Sequence, residues 1–178
     1  MLFETYTIEI KVILFCIFDS VKQDTNYMIQ IRKATLKDLT ILLEFEQGII
    51  STERPYDTTL KEGNINYYNI EKMISAKDVE VVVAVIDDQV IGSGYARIEE
   101  AKPYLNHKLY AYLGFMFTHP DHRGKGVNAL IIETLKNWII AHNIFEMRLD
   151  VYNNNTSAIK AYEKIGFKKH LINMRVGL

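Results

Sequence analysis

The segment Thr118-His119-Pro120-Asp121-His122-Arg123-Gly124-Lys125-Gly126-Val127-Asn128-Ala129-Leu130 decides how this chain folds. On its N-terminal side, Tyr110 to Thr118 reads as a strand. On its C-terminal side, Val127, Leu130, Ile131, Leu135, Trp138 and Ile139 recur at the helical period. Between them lies a polar turn, His119 to Gly126, with two glycines. A helix entered in this way leaves its first N–H groups without partners inside the helix. The helix dipole adds partial positive charge there, so an anion fits if no side chain blocks its approach. Gly124 and Gly126 remove that block and allow positive φ, and Lys125 adds a charge. On glycine spacing alone the same turn could equally be a plain helix cap. It is not a Walker P-loop, which places four residues between its glycines before Gly-Lys-Ser/Thr.

Working outward, Val79 to Ile86 is β-branched and apolar, Asp87-Asp88 makes a turn, and Val90 to Ile98 returns, which predicts a hairpin. Gly92 and Gly94 in the returning arm mark a bulge or a close approach, since no third glycine and helix follow as in a dinucleotide fingerprint. Ile29 and Ile31 alternate with polar residues, as in a half-buried strand. Thr35 then caps a helix carried by Leu36, Leu39, Leu42, Leu43 and Glu46, with Gly48 at its end. Ile49 to Gly63 reads as loop with short helical turns, and Ile65 to Ile74 as a second helix. Downstream, Met147 to Val151 is a strand, Thr156 to Lys164 a helix ended by Gly166, and Phe167 to Val176 a last strand or hairpin arm. The order is β-α-α-β-β-β-α-β-α-β. It predicts one α/β (α+β) domain with a mixed, mostly antiparallel central sheet and helices on both faces.

Composition bounds the function. The chain has 178 residues, 48% of them apolar and 24% charged, which suits one soluble domain with a substantial core. Lys plus Arg number 21 against 22 Asp plus Glu, so no clustered positive surface points to nucleic acid. Cys16 is the one cysteine, which excludes an internal disulfide framework and suits a reducing, cytoplasmic setting. Val12 to Phe18 is apolar but far shorter than the ~20 residues a bilayer requires, and Glu4 and Glu9 precede it, so neither a membrane span nor a secretory leader is expected. Residues 1–27 read either as an extension upstream of a start at Met28 or as an extra edge strand, Thr7 to Phe18, leaving 28–178 as the domain. His119 and His122 lack a third ligand at sensible spacing, so no metal is expected.

The turn Arg123-Gly124-Lys125-Gly126-Val127-Asn128 resembles the pyrophosphate motif of the GNAT family of N-acetyltransferases, Arg/Gln-x-x-Gly-x-Gly/Ala after a strand and opening a helix. Asn128 departs from the family's Gly/Ala. Leu149-Asp150-Val151, Asn155, Ala158-Ile159 and Ala161-Tyr162-Glu163-Lys164-Ile165-Gly166-Phe167 are similar to the family's second signature, in the same order along the chain. The resemblance implies acetyl-CoA as acyl donor, held by Arg123, Gly124, Lys125, Gly126, Val127, Asn128 and Ala129. It also implies Asn155 on the cofactor and the backbone of Met116, Phe117 and Thr118 along the pantetheine arm. Phe117 fits ordinary strand core as well.

For chemistry, the resemblance offers Tyr162 as proton donor to the leaving thiolate, since a phenol ionises near an alkyl thiol. Asn155 and Tyr162 are seven residues apart and share a helix face. Asp150 stands where some relatives that act on protein N-termini place a glutamate base, and Glu53 in Ser51-Thr52-Glu53-Arg54-Pro55 is a second candidate. The expected acceptor is a primary amine of a small molecule, amino acid or peptide. It would be framed by residues 49–70 and the loop from Lys102 to His107, where Tyr56, Tyr67, Tyr68, Tyr104, Asp57 and Glu62 suit a cation. An acyl-CoA sensor without efficient catalysis is the alternative, and a homodimer is left open.

Overall fold

Two aspartates in the left-handed region set the frame of the sheet. Asp87 (φ 48°) and Asp88 (φ 63°) form the tight turn between β2 (Val79–Ile86) and β3 (Gln89–Glu100). Two successive positive φ values give the turn whose twist matches the flanking strands. The computed structural model describes residues 28–178, and the expectations for residues 1–27 lie outside them. β1 (Gln30–Lys33) joins β2 antiparallel, β4 (Leu109–Thr118) joins β3 antiparallel, and β5 (Met147–Arg148) joins β4 parallel. The order is β1-β2-β3-β4-β5, the mixed and mostly antiparallel sheet that the element order predicts. Among the described residues no helix is long and apolar enough to cross a membrane.

Helices cover both faces. A 3-10 turn, Leu36–Asp38, leads into α1 (Leu39–Glu53), and the buried Asp38 carboxylate accepts from Arg32 (2.8 Å twice), Thr35 N (2.8 Å) and Thr35 Oγ1 (3.0 Å). Those partners hold the Asp38 carboxyl down at about 2, the Arg32 hydrogen bond contributing most. α1 does not end at Gly48, as expected, but runs on to Glu53. Gly48 is there for contact: a Cβ on it would sit 2.7 Å from Cε2 of Phe117. α2 (Ile70–Ser75) starts at Ile70 rather than Ile65, because the preceding residues are engaged with α1. Gln47 donates to Ile65 O, and the fully buried Glu46 accepts from Asn66 Nδ2, Tyr67 N and Tyr68 N at 2.7 to 2.8 Å.

α3 (Val127–Ala141) packs on one face of the sheet, where Ile131, Ile132 and Leu135 meet Val82, Ala96 and Leu113. α1 and α2 pack on the other, where Leu42 and Phe45 meet Val81, Val83, Tyr95 and Phe117. α4 (Thr156–Ile165) is capped by Asn155 and closed by Gly166 at φ 107°. β5 stops at Arg148 instead of Val151, and no strand forms over Phe167 to Val176. The tail is instead tethered by Arg175 to Asp57, which leaves Ile172, Met174 and Val176 exposed.

Candidate active site

The glycine turn is built as the sequence suggests. A 3-10 turn, Pro120–His122, follows β4, and Gly124 (φ 76°) and Gly126 (φ 81°) then take left-handed conformations. Gly126 is the N-cap of α3 and brings no side chain to its amides. The first intrahelical bond from it is Leu130 N to Gly126 O, and among the described residues nothing accepts from the N–H groups of Gly124 to Ala129. A Cβ built on Gly124 or Gly126 meets no protein atom within 4 Å, so their surroundings are open. Arg123 folds back, with Nε on Thr118 O at 3.3 Å. Lys125 and Asn128 are not buried, whereas Val127 is an anchor of the core below, 3.1 Å from where a Gly92 Cβ would stand. His119 Nδ1 accepts from Asp121 N at 3.4 Å, and no three His, Cys, Asp or Glu side chains converge among the described residues.

Beside this turn the sheet opens. β4 and β5 pair only at Ala111–Met147 and Tyr112–Arg148. Beyond them β4 runs on to Thr118 with no strand on that edge among the described residues. A bulge turns β4 at the point of parting: Phe115 lies at φ 56°, and the register with β3 shifts between Ser93 and Tyr95. The bulge reverses the inward faces of the strand. Ala111 and Leu113 pack toward α3, but Phe115 and Phe117 pack toward α1, where Phe117 stacks on Phe45 with centroids 4.4 Å apart. Gly92 and Gly94 are close-approach sites next to this bulge, since a Cβ would meet Phe117 O at 2.8 Å and Ile131 at 2.7 Å respectively. The Phe117 side chain is therefore core, while Met116 and Thr118 are half-buried along the open edge.

Tyr162 packs against the α3-face core, Glu53 ends α1, and Asp150 is bonded to Tyr112. Burial pushes the Tyr162 phenol up to about 12, and the charge of Glu53 adds to the shift. Burial likewise raises the Glu53 carboxyl above its ordinary value, opposed by Tyr67. Burial and then Glu53 hold the Tyr67 phenol protonated, and its buried hydroxyl has no partner with hydrogen-bond geometry among the described residues. Asp150 is exposed and accepts from Tyr112 at 3.1 Å. Asn155 uses Oδ1 to cap α4 at Ala158 N (3.1 Å), which leaves its amide nitrogen for a ligand.

Three residues of this region escaped the sequence reading as site residues. Glu46 was legible only as part of a helical spacing, yet it pins Tyr67 and Tyr68 to α1, two turns before Glu53 on the same face. Tyr152 stacks on Tyr56 and donates to Asp57 at 3.4 Å. Arg175 bonds both oxygens of Asp57 and the hydroxyl of Thr59, so Asp57 holds an arginine rather than waiting for a cation. Residues 49–70, with Glu53, Tyr56, Asp57, Tyr67 and Tyr68, pointed to this corner, but not to these partners.

Comparison with known proteins bears on the same region. The model of the acetyltransferase (GNAT) family matches residues 44–167. An acetyltransferase of Sodalis glossinidius (strain morsitans) is 28% identical over 125 residues, which is 70% of this chain and 81% of the relative. A mutant of the BH1408 protein of Bacillus halodurans has the same fold, with a TM-score of 0.77 at 19% identity over 84% of this chain and 99% of that one. A predicted acetyltransferase of Clostridium acetobutylicum, solved with acetyl-CoA, gives 0.63 at 20% identity over 84% and 96%. The matched span runs from α1, through the glycine turn, to the end of α4, and on it the chain belongs to the acetyltransferase (GNAT) family.

Proposed function

We propose that the chain moves the acetyl group of acetyl-CoA to a primary amine by direct attack in a ternary complex. The observation that carries this reading is the row of amides from Gly124 to Ala129 that have no acceptor among the described residues, on a turn of two left-handed glycines beside a parted strand pair. Amides and helix dipole suit a diphosphate, and the open space around both glycines accommodates one. Lys125 supplies charge, and Asn128 and Asn155 supply amide groups near the turn and at the start of α4. The open edge of β4 at Met116 to Thr118 suits a pantetheine arm that pairs with a backbone.

In this reading Glu53 takes a proton from the acceptor ammonium. The freed nitrogen attacks the thioester carbonyl carbon, a C–N bond forms, and the C–S bond breaks. Tyr162 gives its proton to the sulfur. Of the two protons the nitrogen loses, one replaces that of Tyr162 and the other leaves to solvent through Glu53. The raised phenol is no obstacle, since a thiolate formed in the same desolvated space is raised by the same cause. Asp150, exposed and bonded to Tyr112, is the second candidate for base.

The test is calorimetry with acetyl-CoA followed by thiol release over a panel of primary amines. Binding, turnover with at least one amine, and a kcat lowered ~10²-fold or more in Tyr162→Phe are expected. A chain that fails to bind acetyl-CoA at millimolar concentration, or releases no thiol with any amine, refutes the reading.

A further inference from the structure

We infer that the acceptor amine carries a carboxylate, received by Arg175, so that the substrate class is an amino acid or a short peptide. The inference rests on the transfer reading above and concerns the acceptor side of the same site. A guanidinium has five N–H donors arranged as two forks. In Arg175 the end-on fork is occupied: Nη1 donates to Asp57 Oδ2 (3.2 Å) and Thr59 Oγ1 (3.1 Å), and Nη2 donates to Asp57 Oδ1 (2.8 Å). The remaining donors, Nε–H and the second N–H of Nη2, lie side by side on the other edge and have no partner among the described residues. The side chain is 61% exposed. Two parallel N–H groups in a plane match the oxygens of a carboxylate.

Asp57 makes this fork ready. Its oxygens accept from Arg175, from Thr59 N and Oγ1, and from Tyr152, which leaves little capacity for a substrate cation. Its role is to orient the guanidinium before a ligand arrives, which lowers the ordering cost of binding. Tyr152 links this fork to the end of α1: its hydroxyl donates to Asp57 at 3.4 Å, and its ring stacks at 5.9 Å on Tyr56, in the turn that directly follows Glu53. An amine beside Glu53 and a carboxylate on Arg175 are thus the two ends of one molecule lying across Tyr152. A polyamine would place a second cation against an arginine.

The experiment uses the full chain with CoA bound and three ligand pairs: phenylalanine with phenethylamine, lysine with cadaverine, and histidine with histamine. Calorimetry reads binding and thiol release from acetyl-CoA reads turnover. In at least one pair the amino acid should bind ten-fold or more tighter than its decarboxylated partner. In Arg175→Lys, which keeps the charge beside Asp57 but not the fork, that ratio should fall toward one while circular dichroism stays unchanged. Equal binding within every pair, no binding of any amino acid, or an undiminished ratio in Arg175→Lys overturns the inference. Turnover of only the carboxylate-free amines also overturns it and leaves the transfer reading standing. A binding ratio without any turnover overturns the transfer reading, and with it the acceptor role, and leaves Arg175 as a carboxylate-binding site only.

Discussion

Glu53 holds a carboxylate where burial disfavours its charge. A base must be ionised to act, so kcat/KM should rise with pH through a step above the ordinary glutamate value of ~4.3. In Glu53→Gln that step should vanish and kcat should fall ~10²-fold. The sign for stability is opposite. A raised folded-state carboxyl contributes stability that is present below the unfolded value and is lost as pH rises through the folded one. Glutamine imitates the protonated form, so Glu53→Gln should melt higher than the wild type at pH 7. A variant that keeps the pH step removes Glu53 from the role of base, and one that melts lower at neutral pH refutes the burial penalty on its charge. Tyr162 could be proposed from sequence because its motif is local. Arg175 was not, because Asp57 lies 118 residues away and nothing in either neighbourhood announces the pair.

At the scale of elements, the hairpin, the glycine turn and the helix it opens were readable because each is written in consecutive residues. The bulge in β4 was not. Leu113, Phe115 and Phe117 look like one inward face, and only the left-handed Phe115 shows that they serve two cores. Gly48 misled for the same reason: its contact is with Phe117, a partner distant in sequence. The predicted last strand failed because alternation fixes side-chain faces and does not supply a neighbouring strand to pair with. Glu46 shows how an element shapes the site from within. Its carboxylate ties Tyr67 N and Tyr68 N to α1 and so sets the Tyr67 ring beside Glu53. Glu46→Ala leaves both amides without their acceptor, at a cost on the order of 1–3 kcal/mol for each that stays buried. Denaturant titration should show that loss, and the acid step of kcat/KM should move in the folded variant. An unchanged midpoint would mean that this segment needs no anchor.

For the whole molecule, one sheet separates the two halves of the site. The glycine turn stands on the α3 core through Val127, and the corner proposed for the acceptor stands on α1. A ligand that grips the turn and runs along β4 touches both, so its binding should be visible in global melting. At 100 times its Kd a ligand adds about 2.7 kcal/mol, or roughly 5–11 °C in Tm for a chain of this size. Acetyl-CoA and dephospho-CoA, which both carry the diphosphate, should give this shift at such saturation, and pantetheine at the same concentration much less. Gly126 is the controlling position. An alanine there meets no protein atom, yet it must hold φ 81°, which costs an L-residue about 1–2 kcal/mol, and its methyl enters the space proposed for the diphosphate. Gly126→Ala should therefore start from a slightly lower Tm and lose most of the acetyl-CoA shift. If it keeps the full shift, or if pantetheine alone reproduces it, the amides of this turn are not what holds the donor.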